Sequence, residues 1–173
     1  PLKIEHKLAE ESLLESERKL STLIGNLPGV VYRCLNDNSW TMEFISDGCI
    51  ELTGFETSDL IGNQTVAFNN LIHPKDQPLV WDQIQEALAE KQPYRIVYRI
   101  RNAMGEEKWI WDQGDGNPST DGNIKVLEGF LIDITEKKRL EAELEKNIEL
   151  STTLESLENE IDYARSDDFA VEW

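Results

Sequence analysis

Apolar and polar side chains alternate along residues 94–101, and this is the most regular pattern in the chain. Its apolar members are Tyr94, Ile96, Tyr98 and Ile100. A period of two residues predicts a β-strand with one buried face. The alternation turns Arg99 and Arg101 away from that face, where they either meet solvent or pair with acids on nearby helices.

Shorter runs of β-forming residues, each bounded by turn residues, predict the other strands. These strands are Val30–Leu35, Trp40–Ile45, Trp109–Trp111 and Val126–Ile134. The first two are joined by the turn residues 36–39 as a hairpin, and residues 118–122 form the turn that precedes the last strand.

Helical spacing of apolar residues predicts the remaining elements. A helix is predicted over Ile4–Ile24, and short helical pieces separated by glycines fill residues 47–70. A longer helix opens at His73-Pro74, because proline suits the first helical position. Hairpins at both ends of this order, with helices between them, predict an α+β domain in which helices cover one face of an antiparallel sheet.

The last predicted strand continues into a charged helix, and neither Gly nor Pro separates the two. Thr135 is suited to cap this helix, since its hydroxyl can accept from the free N–H groups of the first turn. A sheet joined so directly to a helix can export a small shift of its last strand. The junction therefore favours signal transmission over catalysis.

The C-terminal helix carries a heptad pattern that is typical of a parallel dimeric coiled coil. Leu140, Asn147, Leu154 and Ile161 occupy the a positions, and Leu150 and Leu157 occupy d positions. Leu144 and Ile148 fall out of this register, which indicates a slip near the start of the helix. The alternative is a helix that packs back on its own domain.

The net charge of −17 over 173 residues makes nucleic acid or an anionic membrane a poor partner. The chain has no apolar run long enough to cross a membrane. Cys34 and Cys49 show no metal-binding spacing, and with no secretory segment the expected compartment is the reducing cytoplasm. The first residue is Pro1, which suggests a piece of a longer protein.

Four groups of short motifs occur in a characteristic order along residues 21–138. They are Leu52-Thr-Gly-Phe55 with Leu60-Ile-Gly62, His73-Pro-Lys-Asp76, Tyr98-Arg-Ile-Arg101 with Gly105 and Trp109, and Gly129-Phe-Leu-Ile-Asp-Ile-Thr135. In this order they resemble a PAS domain with its trailing PAC segment, in the subgroup that has a His-Pro-x-Asp step before the long helix.

The resemblance implies a five-stranded antiparallel sheet of order 2-1-5-4-3 whose helical face encloses a pocket. It implies a bacterial-type sensory module that dimerises and acts on a histidine kinase or cyclic-dinucleotide enzyme in the same chain. Asp133, Ile134 and Thr135 match the family's hinge between sheet and signalling helix. The expected parts are an N-terminal helix (1–27), the sensory domain (28–135), the coiled-coil helix (136–165) and a tail or the start of a downstream region (166–173).

Aromatic and apolar residues supply the candidate walls of the pocket, although an ordinary core would use the same residue types. The candidates are Phe44, Phe68, Tyr94, Tyr98, Ile100, Trp109, Trp111 and Phe130. The cofactor, if any, is unknown. The absence of Cys from 63–72 argues against a cysteinyl-flavin adduct, and the absence of His from 74–91 argues against haem.

No arrangement of side chains indicates catalysis or a metal site. Asp112, Asp115 and Asp121 are predicted on a strand end and the turn after it, without a partner for nucleophilic chemistry. His73, beside a proline at a helix entrance, is better explained by a structural hydrogen bond than by metal ligation.

The favoured function is a cytoplasmic, homodimeric sensory module, and two other functions remain open. One is a ligand-free interaction module, for which the melting temperature would not respond to a panel of metabolites. The other is a redox or light sensor with a non-covalent cofactor, for which the purified protein would be coloured.

Overall fold

The computed structural model describes the backbone of residues 2–168 and the side chains of residues 3–165. The helices are α1 (Leu2–Gly25), α2 (Gly48–Thr53), α3 (Thr57–Leu60), α4 (Phe68–Leu71), α5 (Gln77–Ala89) and α6 (Thr135–Asp168). The strands are β1 (Val30–Leu35), β2 (Met42–Ile45), β3 (Tyr94–Arg101), β4 (Glu107–Pro118) and β5 (Ile124–Asp133). The chain divides into two compact units, one ending at Ile134 and the other beginning at Thr135.

The five strands form one antiparallel sheet in the order β2-β1-β5-β4-β3. This is the order that the resemblance implied, so the predicted fold class is confirmed. The last strand in sequence, β5, lies at the centre of the sheet between β1 and β4. The central strand β5 is thus also the strand that directly precedes α6 along the chain.

One face of the sheet carries the core, and the short helices and α5 pack on it. The side chains of β3 alternate between buried and exposed as predicted, with Tyr94, Ile96, Tyr98 and Ile100 inward. Val80, Ile84 and Leu88 of α5 and Phe68 of α4 complete the opposite wall. Residues spaced by four on α5 thus meet residues spaced by two on the strands.

The segment before α5 covers the outer edge of β3. The His73 N–H donates to the Arg99 carbonyl oxygen at 2.8 Å, and the Asp76 carboxylate accepts from the Arg99 backbone N–H at 2.9 Å. The Arg99 guanidinium also donates to Asp76 at 2.6 Å, which lowers the pKa of that carboxyl. Arg99 therefore pairs with an acid at a helix entrance, whereas Arg101 is exposed. Satisfying the Arg99 backbone groups in this way protects this end of the edge strand from pairing with another chain.

Several predicted boundaries differ from those in the structure. The long helix begins at Gln77 and not at His73-Pro74. The residues from His73 to Asp76 instead form a turn that lies against the edge of β3. Strand β2 begins at Met42, because Trp40 has a left-handed backbone with φ 50°. Strand β4 is much longer than Trp109–Trp111 and runs from Glu107 to Pro118.

Within the described residues, the C-terminal unit is one helix. It spans Thr135–Asp168, so it extends past residue 165, where the coiled coil was predicted to end. The predicted tail overlaps this helix at 166–168, and residues 169–173 lie outside the part of the chain that the structure describes. Most apolar side chains of the helix are exposed.

Candidate functional site

A small cavity lies between the inner face of the sheet and the helices. Its volume is about 10 Å³, close to what one water molecule occupies. All five strands contribute to its walls, together with α4 and α5, and the walls are mainly apolar. The lining residues are Tyr32, Cys34, Trp40, Met42, Phe68, Ile72, Val80, Ile84, Tyr98, Asp112 and Leu127.

Asp112 is the polar centre of this cavity and is only 3% exposed. One carboxylate oxygen accepts a hydrogen bond from the Tyr32 hydroxyl at 2.9 Å, and the other accepts from the Tyr98 hydroxyl at 3.0 Å. The Tyr32 and Tyr94 hydroxyl oxygens are 2.6 Å apart. Tyr32 and Tyr98, from two non-adjacent strands, therefore converge on one buried carboxyl group, and Tyr94 joins the cluster through Tyr32.

Two glycines make room for this convergence. Tyr32, Gly129, Gly114 and Tyr94 are neighbours in one row across β1, β5, β4 and β3. A Cβ atom at Gly129 would overlap the Tyr32 hydroxyl, and one at Gly114 would overlap the Tyr94 hydroxyl. The tyrosine side chains thus lie over bare backbone, which is a reason for glycine inside a strand.

Burial controls the proton affinity of the cluster. Desolvation raises the pKa of Asp112 to about 7, although hydrogen bonds from Tyr32 and Tyr98 oppose that rise. Desolvation also raises the pKa of Tyr32, Tyr94, Tyr98 and Cys34 well above their ordinary values. Asp112 is consequently the member of this cluster that changes charge near neutral pH.

The predicted pocket residues separate into two groups. Phe68 and Tyr98 line the cavity, and Tyr94 and Ile100 are buried in the same core. The other four, Phe44, Trp109, Trp111 and Phe130, are partly or largely exposed.

Their placement in the pocket is wrong, because strand register puts them on the outer face of the sheet. Trp109 pairs with Arg99, and Trp111 pairs with Val97. Paired residues share a face, so both tryptophans lie opposite to Tyr98 and Ile100. The Arg99 guanidinium lies 5.5 Å from the centre of the Trp109 ring.

Sequence reasoning missed the residue at the centre of the site. Asp112 lies in the middle of β4 and not at a strand end. It shares a face with Ile110, two residues earlier, so alternation places Asp112 inward once Ile110 is known to be buried. Tyr32, Cys34, Trp40 and Met42 were also absent from the predicted pocket.

The end of β5 is anchored next to the junction with α6. The Lys108 ammonium lies 3.3 Å from the Asp133 carboxylate and 3.0 Å from the Glu51 carbonyl oxygen of α2. The Ile134 N–H donates to the Trp109 carbonyl oxygen at 2.8 Å. Lys108 thus connects the helical layer to the last residue of the sheet.

Other candidate chemistry has a structural role. The His73 Nδ1 atom accepts from the Lys75 N–H at 3.2 Å, a hydrogen bond within its own turn. Cys34 and Cys49 are buried free thiols. Among the described residues, no group of His, Cys, Asp and Glu side chains is arranged to hold a metal ion.

No helix within residues 2–168 combines the length and apolarity needed to span a bilayer.

Comparison with known proteins agrees with this architecture. The model of the PAS fold family matches residues 42–131. A methyl sulfide methyltransferase-associated sensor of Methanosarcina acetivorans is 25% identical over 134 residues, which cover 77% of this chain and 13% of that protein. A blue-light-activated histidine kinase of Brucella ovis is 27% identical over 113 residues, which cover 62% of this chain and 22% of the kinase.

A solved structure shows the same fold at lower identity. The sensory box histidine kinase/response regulator structure from Burkholderia thailandensis superposes with a TM-score of 0.61 and 21% identity. The match covers 76% of this chain and 95% of that one. A central antiparallel sheet with helices over one face and an internal cavity defines a PAS-type domain. The chain belongs to the PAS fold family.

Proposed function

We propose that this chain is the sensory module of a larger cytoplasmic signalling protein and that α6 carries its signal to an output domain. The observation that carries the proposal is the passage from the central strand β5 to the 34-residue helix α6 through Ile134 alone. The relatives include a sensor and a histidine kinase, and the chain spans 13% and 22% of their lengths. An output domain of the histidine-kinase or cyclic-dinucleotide type fits this arrangement.

The proposed route of the signal begins at the cavity. Asp112 lies on β4, which pairs with β5 through Leu131, and Lys108 lies four residues earlier on the same strand. A change of packing around Asp112 would shift β4 against β5, and Lys108 would transmit the shift to Asp133. The hinge formed by Asp133, Ile134 and Thr135 then alters the pitch or register of α6.

Replacing Lys108 by Met is expected to loosen the end of β5. The change removes the ammonium contacts to Asp133 and to the Glu51 carbonyl but keeps most of the side-chain volume. Amide hydrogen exchange in residues 131–136 should rise roughly fivefold, corresponding to about 1 kcal/mol. The matched control is Lys125→Met, which removes an exposed contact with Asp121. Equal exchange in both variants would contradict the proposed route.

The helix α6 is proposed to form a parallel coiled coil with a second copy of the chain. Its apolar side chains are about half exposed or more within one copy, as expected for an interface that a partner would bury. The exposed set includes Leu140, Leu150, Leu154, Leu157 and Ile161. The polar a residue Asn147 would select the dimer and its register.

Two heptad registers compete in this helix according to the proposal. Leu140, Leu144 and Ile148 follow each other at intervals of four, whereas Leu150, Leu154, Leu157 and Ile161 follow the regular heptad. A change between intervals of this kind locally alters the winding of a coiled coil. A bistable helix pair would convert a small shift at the hinge into two distinct arrangements of an output domain.

Replacing Leu154 and Leu157 together by Asp is expected to convert the dimer to a monomer. The double change puts four like charges into the seam of a two-stranded coil, where each needs to lose water. Multi-angle light scattering would measure a halved mass. The control variant Ser156→Asp with Asn159→Asp adds the same charge at the outward c and f positions and should remain dimeric. Dimers that persist in the first variant would place the principal interface elsewhere.

A further inference from the structure

Asp112 is a buried carboxylate with no cationic partner among the described residues. Its polar contacts there are the hydroxyls of Tyr32 and Tyr98, and it faces a cavity lined otherwise by aromatic, aliphatic and thiol-bearing side chains. We propose that this cavity is a binding site for a small organic amine whose ammonium group pairs with Asp112.

The chemistry of the walls suits an ammonium group. Each Asp112 oxygen accepts one tyrosine hydrogen bond and retains a further lone pair for an N–H donor. The Tyr32 and Tyr98 hydroxyl oxygens can accept as well, so the three N–H bonds of a primary ammonium can all be satisfied. The aromatic rings of Trp40 and Phe68 also line the cavity, and aromatic faces attract cations.

The same walls select against anions and neutral molecules. Among the described residues, no Lys, Arg or His lines the cavity, so a carboxylate or phosphate would be buried beside Asp112 without a counter-charge. A neutral alcohol can hydrogen-bond to Asp112 but gains no charge pairing in this low-dielectric site. Charge is therefore the property by which the site would choose its ligand.

Binding must enlarge the cavity, since about 10 Å³ holds one water and not an alkyl chain. Met42 forms part of the wall and adapts its shape readily. Trp40 is held with φ 50°, and its ring lies 5.1 Å from that of Trp81, which is partly exposed on α5. Strain of this kind is common at ligand-binding and switch segments, and Trp40, which lines the cavity, is almost fully buried. Movement of this pair and of α5 would admit the ligand.

The amine should bind the ionised form of Asp112 and displace its proton. Affinity is then expected to rise roughly tenfold per pH unit below pH 7 and to level off above it, because the pKa of Asp112 is raised to about 7 and an alkylamine stays protonated there. A neutral ligand would show no such rise. The role of this site as the input of a sensor rests on the proposed sensory function. The proposal that an amine binds there does not depend on that function.

The test is calorimetric titration of the full chain at pH 5, 6, 7 and 8 with n-butylamine, 1-butanol and butyrate. Butylamine is expected to bind at least tenfold more tightly than butanol at pH 8, and butyrate should not bind. Asp112→Asn should remove the preference for the amine and the pH dependence. Asp115→Asn, which neutralises an exposed acid on the same strand, should keep both.

A second variant distinguishes loss of the binding site from misfolding of the Asp112→Asn variant. Val80→Leu leaves Asp112 intact but narrows the cavity, and it should weaken butylamine binding at least fivefold. Equal binding of butylamine and butanol, no binding of either, or full amine binding by Asp112→Asn would each overturn the proposal. Amine binding without any change of hydrogen exchange in α6 would contradict the relay and leave the site intact.

Discussion

Replacing Asp112 by Asn is expected to remove most of the pH dependence of stability between pH 4 and pH 8. The folded protein raises the pKa of this carboxyl from 3.8 to about 7, so the native state binds its proton more tightly than the unfolded chain does. A raised acid pKa stabilises the fold at low pH, and this contribution is lost as pH rises from about 4 to about 7. Three pKa units correspond to about 4 kcal/mol of unfolding free energy.

The titratable groups that surround Asp112 do not change charge in this pH window. Tyr32 and Cys34 of β1 and Tyr94 and Tyr98 of β3 surround it, and burial raises the pKa of each, so none gains charge below pH 8. Asp76 has a lowered pKa, and its contribution is lost only in more acidic solution. The wild-type chain should therefore be more stable at pH 5 than at pH 8.

Urea denaturation at pH 5, 6, 7 and 8 measures this difference. Asp112→Asn should give a nearly flat profile and exceed the wild-type stability at pH 8, since an amide carries no charge to bury. Asp115→Asn should follow the wild-type slope, because Asp115 is exposed on the same strand. A wild-type profile that stays level or rises from pH 5 to pH 8 would show that Asp112 is not held as a buried acid.

Individual strands of the sheet could be predicted because the pattern that indicates each strand lies within a short stretch of sequence. Alternation along β3 and the β-rich run of β1 indicate these strands directly, and the structure gives both with the predicted bounds. The resemblance added the strand order, which depends on pairing between distant residues. Register decided which face the tryptophans of β4 occupy, and nothing within their own strand contained that information.

The site itself was harder to predict than the fold. Asp112, Gly114 and Gly116 suggest a turn on propensity, since Asp and Gly are depleted in strands. Here tertiary packing overrides propensity: the glycines admit bulky side chains, and the aspartate receives two tyrosine hydroxyls. The tyrosines are distant in sequence, so the compensation becomes visible only when the four strands β1, β5, β4 and β3 are placed side by side.

Gly129→Ala is the second substitution with a large expected effect. It should lower the stability of the fold, whereas replacing a strand glycine by alanine usually raises it. Glycine inside a strand ordinarily costs about 0.5–1 kcal/mol relative to alanine, so the substitution would normally stabilise the chain. At this position the added methyl group would overlap the Tyr32 hydroxyl and ring. To relieve this overlap, Tyr32 has to move away from Asp112. The buried carboxyl group then loses the hydrogen bond from the Tyr32 hydroxyl. We expect a net loss of roughly 2–4 kcal/mol.

Thermal and urea denaturation at pH 7 would measure this loss, and Gly25→Ala is the matched control. An added methyl group at Gly25 meets nothing within 4 Å, so that variant should differ from the wild type by less than about 0.5 kcal/mol. Gly114→Ala should resemble Gly129→Ala, because its methyl group would overlap Tyr94 in the same row. If both strand variants are as stable as the control, the tyrosines can leave the glycine row at little cost. The tyrosine–Asp112 cluster would then be loosely held and not a fixed part of the core.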